Sequence, residues 1–161
     1  MKPTLAFALL ASSSPVIQDE TADCFKAGDR PLICAHVMDE RAVASARVFF
    51  RPRDGKGFYW AELSFDGARY CATLPRPFAE TRVEYYLEAV NDGYETARTR
   101  SRSLEARSGC RASTADPQAP PTVVHTTVPL QDPVPAGFDP RTLKPFTPAP
   151  GAAVDRPAIR Q

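Results

Sequence analysis

Few residues in this chain could do chemistry, and their settings restrict them further. It has two histidines, His36 and His125. His36 alternates with Cys34 and Met38 along "PLICAHVM" (31–38). It therefore shares one face of a strand-like run, where an imidazole is ordinarily satisfied by a backbone carbonyl. His125 belongs to a proline-rich stretch, so a nucleophilic triad lacks its base. Glu84 and Glu88 stand two pleats apart beside arginines, a setting that suits ion pairs rather than a general acid. "RDGKG" (53–57) is glycine-rich, but it has neither the strand-to-helix setting nor the Lys-Ser/Thr ending of a phosphate cradle. No catalytic residue, cofactor or metal site is expected, and the chain reads as a non-enzyme. An enzyme would require a site assembled from distant, unpatterned residues.

The four cysteines, Cys24, Cys34, Cys71 and Cys110, are too widely and irregularly spaced for the close Cys-x-x-Cys pairs of a zinc site. An even count in a small exported domain favours two disulfides instead. Cys24 and Cys110 bracket the patterned part of the chain, whereas Cys34 and Cys71 sit inside strand-like runs. That placement favours 24–110 with 34–71; the second arrangement is 24–34 with 71–110. Closing a loop over most of the domain would stabilise it by about 4 kcal/mol on chain-entropy grounds. This matters, because a core confined to 24–110 is marginal by buried area alone.

The start, "MKPTLAFALLASSSPVIQDE", has one lysine, a short apolar run and then small residues. Residues 1–14 therefore read as a secretory signal, with 15–23 as a short linker. Cys24 follows Thr21-Ala22-Asp23, which is not a lipobox, and no apolar run is long enough to span a bilayer. A secreted, periplasmic or envelope-associated location is expected. The formal charge of +1 gives no general field to draw nucleic acid or an acidic membrane.

The elements that would position these residues are short antiparallel strands between Cys24 and Cys110. "ARVFFRP" (46–52) sets Ala46, Val48 and Phe50 against Arg47, Phe49 and Arg51. "FYWAELSF" (58–65) sets Tyr59, Ala61, Leu63 and Phe65 inward and Phe58, Trp60, Glu62 and Ser64 outward. Asp66-Gly67 signals a hairpin back into "ARYCATL" (68–74). "PRPFAET" (75–81) must be a crossing loop, since its prolines cannot serve a central strand. In "RVEYYLEAVNDGYETARTRSR" (82–102), Val83, Tyr85, Leu87 and Ala89 oppose Glu84, Tyr86 and Glu88, and Arg98, Arg100 and Arg102 follow at alternate positions. No segment carries a capped helical period. The fold class is therefore all-β, an antiparallel two-sheet sandwich over 24–110, with a closed barrel as the alternative. Residues 111–161 hold most of the prolines and no sustained hydrophobic period, which predicts an extended, disordered tail.

"YYLEAVNDGYE" (85–95) resembles the penultimate strand of fibronectin type III and related immunoglobulin-like modules. Tyr85, Leu87, Ala89, Val90, Asn91 and Gly93 match that pattern. The run from Cys24 to Cys110 is similar to small immunoglobulin-like domains of bacterial exported and envelope proteins. The resemblance implies an immunoglobulin-like sandwich and little about activity, because sandwich domains host many unrelated roles. Two features depart from it: Trp60 lies mid-chain on an outward face, and the cysteines are outside the type III pattern.

The residues left for recognition are those projecting from one sheet face: Arg47, Phe49, Arg51, Phe58, Trp60, Glu62, Glu84, Tyr86, Glu88, Arg98, Arg100 and Arg102. An even-sum hairpin register would set Glu88 opposite Arg98 and Glu84 opposite Arg102. An odd sum would turn arginines inward and bury charge, at several kcal/mol per ion. Phe49, Trp60, Tyr86, Arg47, Arg51, Arg98 and Arg100 are the candidate partner-binding residues, because aromatic and arginine side chains are enriched in contact surfaces. The competing reading has arginine stems and stacked guanidinium groups covering the aromatics to give a solvated face. The expected function is a non-catalytic recognition, adhesion or assembly module at the cell envelope, with a protein partner favoured over a glycan. The alternative is a structural spacer with a tethering tail.

Overall fold

A computed structural model describes residues 13–112 and 115–148. The signal assignment falls mainly on residues 1–12 and lies outside the described residues, as does the part of the tail assignment from 149 onward. The chain forms β1 (Val16–Asp19), β2 (Cys24–Phe25), β3 (Leu32–Met38), β4 (Val43–Pro52), β5 (Tyr59–Glu62), β6 (Ser64–Phe65) and β7 (Tyr70–Thr73). β8 (Val83–Asn91), β9 (Thr96–Arg98), β10 (Arg102–Ala106), β11 (Thr122–Thr126) and β12 (Leu143–Pro145) follow, with a single 3-10 turn at Pro140–Thr142. A small sheet has the order β1-β3-β7-β6, and a large one runs β12-β11-β5-β4-β8-β10-β2, with β9 also paired to β8. The large sheet is mixed: β10 with β2 and β11 with β12 run parallel, while the other pairings are antiparallel.

Side chains two apart in a strand share a face. Accordingly Val48, Phe50, Tyr59, Ala61, Val83, Tyr85 and Leu87 from the large sheet meet Ile33, Ala35, Ala72 and Leu74 from the small one in a single core. The strand expected over 58–65 divides at Leu63. β5 stays beside β4, whereas β6 crosses to β7 in the other sheet. That crossing turns Phe65 outward, where it is exposed and packs on Tyr70, correcting the expectation that it faces inward. The hairpin tip is a four-residue loop. Asp66 Oδ1 accepts from the backbone N–H of Ala68 and Arg69, both at 2.9 Å, and Gly67 takes a positive φ of 100°. The disulfides join Cys24 to Cys110 and Cys34 to Cys71.

Two boundaries differ from those expected. The linker assigned to 15–23 contains β1, which pairs antiparallel with β3 from Val16↔Met38 to Asp19↔Ala35. Ile17 packs against the core from this strand. The larger correction concerns 111–161, expected to be disordered throughout. Residues 115–148 instead form a strap that completes the sandwich. Val124, Phe138 and Leu143 are buried in the core, and Phe138 meets Phe50 edge-on at 5.4 Å.

Prolines remove backbone donors from the strap, and side chains of the body and the strap make up the connections. Arg30 donates to the carbonyls of Leu74 (3.2 Å), Ala119 (2.8 Å) and Pro120 (3.0 Å), and to Thr122 Oγ1 (2.8 Å). Thr122 in turn donates to the Thr73 carbonyl. Tyr59 Oη donates to the Asp132 carbonyl at 2.9 Å. Asp139 caps the 3-10 turn and takes Arg76 and Arg141 as partners.

Candidate functional site

The outer face of the large sheet carries its polar and aromatic residues in rows. Strand register sets His125 opposite Trp60, Trp60 opposite Phe49, and Phe49 opposite Tyr86. This makes one aromatic row across β11, β5, β4 and β8. The next row alternates in charge: Glu62 opposite Arg47, Arg47 opposite Glu88, and Glu88 opposite Arg98. On the other side of the aromatic row, Arg51 opposes Glu84.

These side chains stack rather than stand free. Phe49 and Tyr86 lie parallel with centroids 4.8 Å apart, and Phe58 meets Tyr86 edge-on at 5.0 Å. Arg51 lies 4.4 Å over Phe58 while its guanidinium binds Glu84 at 2.8 Å. Arg47 lies 4.4 Å over Trp60, whose ring stacks on His125 at 3.7 Å. His125 in turn stacks on Phe146 at 4.3 Å. Each guanidinium held over a ring gains roughly 0.5–1 kcal/mol at a surface site. Phe49 is consequently buried, and Trp60, Tyr86 and His125 are half-buried. Burial raises the Tyr86 phenol above its usual range, and desolvation lowers the His125 imidazole despite the neighbouring Glu62 carboxylate.

The charges divide into paired and free groups. Glu88 is almost fully buried and accepts from Arg98 Nε at 2.6 Å. This bond and the Glu88 charge raise the Arg98 guanidinium. Arg47 stands opposite two glutamates, yet among the described residues it makes no ion pair, and its buried Nε has no partner. Stacking on Trp60 holds it away from both carboxylates. Glu62 is likewise exposed and outside the ion pairs of the described residues.

The expected arginine ladder is broken. Arg98 keeps its place opposite Glu88, but β10 pairs through Arg102↔Tyr85 and Ser103↔Glu84, an odd register. The slip occurs at Thr99–Ser101, where Thr99 Oγ1 accepts from the Leu87 backbone N–H and takes the place of a ladder carbonyl. Arg100 is left exposed in that break, and Glu84 pairs with Arg51 rather than Arg102. Arg102 turns to the inner side, where Asp19 at 2.9 Å and Asp23 offset its charge. Asp19 also accepts from the Tyr85 hydroxyl at 2.8 Å. Burial and this carboxylate push the Tyr85 phenol well above its usual range.

The structure therefore brings Arg47, Phe49, Arg51, Trp60, Tyr86 and Arg98 together and leaves Arg100 aside. It adds His125 and Phe146, which the sequence reading had placed in the tail. Their signal was the period-2 run "TVVHT" (122–126), whose Thr122 and Val124 face inward and whose His125 faces outward.

Two sheets packed face to face over one core define an all-β, sandwich-like protein with two disulfides. No helix of the described residues is long and apolar enough to cross a membrane. No protein-family model matches the chain. No curated protein matches it either. Among solved structures the chain is similar to an engineered protein known from a crystal structure at 1.98 Å resolution, with 19% identity and a TM-score of 0.45. That likeness covers 58% of this chain, which spans only 20% of the other.

Proposed function

We propose that the protein is a non-catalytic, exported recognition or assembly module of the cell envelope that contacts a protein through the outer face of its large sheet. The observation that carries this reading is the fixed row of Trp60, Phe49 and Tyr86 with Arg47 beside it. Aromatic rings and a guanidinium already held in place lose little freedom on binding. Arg47 also makes no ion pair among the described residues, so its charge is left without a protein counterion. A protein partner is favoured over a glycan because a sugar stacks on an open ring face. Trp60 has Arg47 and His125 against it, and Tyr86 has Phe49.

Two disulfides are compatible with an extracytoplasmic location. An immunoglobulin-like ancestry is supported by the passage of the chain from small sheet to large and back through β3, β4, β5, β6, β7 and β8. The parallel strands β2 and β12 are additions to that pattern. The second reading, a spacer without a ligand, is favoured by the same stacking, since covered rings make a tidy solvated face.

Arg47→Gln and Glu62→Gln separate the two readings, because neither residue takes part in an ion pair among the described residues. Together they should cost no more than about 1 kcal/mol of stability, the size of the lost Arg47–Trp60 contact, and abolish crosslinking of the full chain to its envelope protein. Crosslinking that survives both substitutions would remove the contact from this face, and a wild-type chain that crosslinks to nothing would leave the spacer.

A further inference from the structure

Arg30 is only 7% exposed, and among the described residues all its acceptors are neutral: three carbonyls and one hydroxyl. No carboxylate of the described residues lies within ion-pair distance of it. Arg76 faces the same small cavity, and its buried Nε has no partner among the described residues. The nearest contacting carboxylate, Asp139, is shared between Arg76 at 3.5 Å and Arg141 at 3.1 Å. Two guanidinium groups thus divide that carboxylate, and Arg30 contacts none. A buried cation left uncompensated is strongly unfavourable, and a buried donor without a partner calls for a bound group.

The cavity between Arg30 and Arg76 has a volume of about 60 Å³ and is completed by Asp29, Ala115, Asp116 and Pro117. It has room for a few waters or one small oxyanion. Desolvation and the like charge of Arg76 both lower the Arg30 guanidinium, which a bound anion would reverse.

The geometry points to an inorganic oxyanion site, for sulfate or phosphate, between Arg30 and Arg76, which fastens the strap to the body when occupied. Arg76 supplies the free Nε–H. Arg30 has one Nη2–H left after its four acceptors, following the five donors of a guanidinium. Asp29 and Asp116 line the cavity and oppose an anion, so they weaken the site. Because Arg30 also holds Ala119, Pro120 and Thr122, occupancy couples directly to strap docking.

The test uses the full chain in sodium sulfate and sodium phosphate titrations against sodium chloride of equal ionic strength. The expected result is a saturable rise in melting temperature with both oxyanions, and parallel protection of the strap from a protease. Arg76→Gln, at a half-exposed side chain, should fold and lose the saturable rise. Asp116→Asn should tighten the apparent affinity by about fivefold or more, a change of the size expected for removing one nearby like charge. The same rise in Arg76→Gln as in the wild type would mark a general salt effect and overturn the site. So would no rise beyond chloride, which would leave only water in the cavity.

Discussion

Strands β8 and β11 lie in the same sheet but are held there by different means. β8 is central, bonded to β4 along its length on one side and to β9 and β10 on the other. Its Val83, Tyr85, Leu87 and Ala89 are fully buried. β11 meets β5 at only two positions, His125↔Trp60 and Thr126↔Tyr59. Elsewhere the strap is held mainly by side chains, Arg30 and Thr122 at one end, the Trp60–His125–Phe146 stack in the middle and Phe138 in the core, with a short backbone bridge at Pro77↔Phe138. The body is thus organised by backbone ladders and closed covalently by Cys24–Cys110, whereas the strap beyond the disulfide is latched on. A ladder shares its bonds over many residues, but a latch concentrates its energy in a few.

That contrast is broken most severely from the body's side. Replacing Cys24 and Cys110 together by alanine should lower unfolding free energy by about 4–5 kcal/mol, given the 86-residue separation. Urea unfolding with and without the bridge measures it. A loss of under 1 kcal/mol would mean that the ladders alone close the body. Next in size is Phe138→Ala in the strap, expected to cost about 3–4 kcal/mol by opening a cavity against Phe50. The unfolding transition should stay single. If the strap were an accessory, Phe138→Ala would leave the main transition in place and produce a small early one.

The body was legible in the sequence because period-2 alternation reports burial directly, and Val48, Leu63, Tyr85 and Leu87 are buried on that basis. Outside the short run "TVVHT" (122–126) the strap was not legible, because its contacts lack a period. Proline suppresses the ladder bonds that make a strand recognisable, and the side chains that replace them, Arg30, Thr122 and Asp139, are distant in sequence or look like ordinary surface residues. The slip between β9 and β10 was hidden for a related reason. Thr99 substitutes a side-chain acceptor for a backbone one, and Asp19 and Asp23 supply the charge that lets Arg102 turn inward. The aromatic face was half visible: the residues on β4, β5 and β8 followed from alternation, but His125 and Phe146 required the strap.

Trp60 joins the two regions, since Arg47 from the body and His125 from the strap flank it. Trp60→Ala should cost roughly 2 kcal/mol, below the ~3–5 kcal/mol of a fully buried aromatic because the ring is half-buried. It should also expose the strap to proteolysis before the body. Glu62→Gln, an exposed neighbour, should stay within about 0.5 kcal/mol of the wild type. Equal protection of the strap in both variants would remove Trp60 from the latch and leave Arg30 and Phe138 to hold it.

The smallest expected effect is a pH dependence carried by His125. Its imidazole lies between Trp60 and Phe146 with Glu62 and Arg47 facing it, and desolvation lowers it below the ordinary 6.5. A histidine lowered in the folded state binds fewer protons there than in the unfolded chain, so its contribution is whole above about pH 6.5 and declines as pH falls toward the folded value. The urea midpoint should therefore drop between pH 7.5 and 5.5 in the wild type, and His125→Phe, which keeps a stacked ring without a titrating group, should drop less. An equal drop in both proteins would assign the slope to carboxylates elsewhere. A larger drop in His125→Phe would mean that the Glu62 charge outweighs desolvation and that protonation tightens the latch.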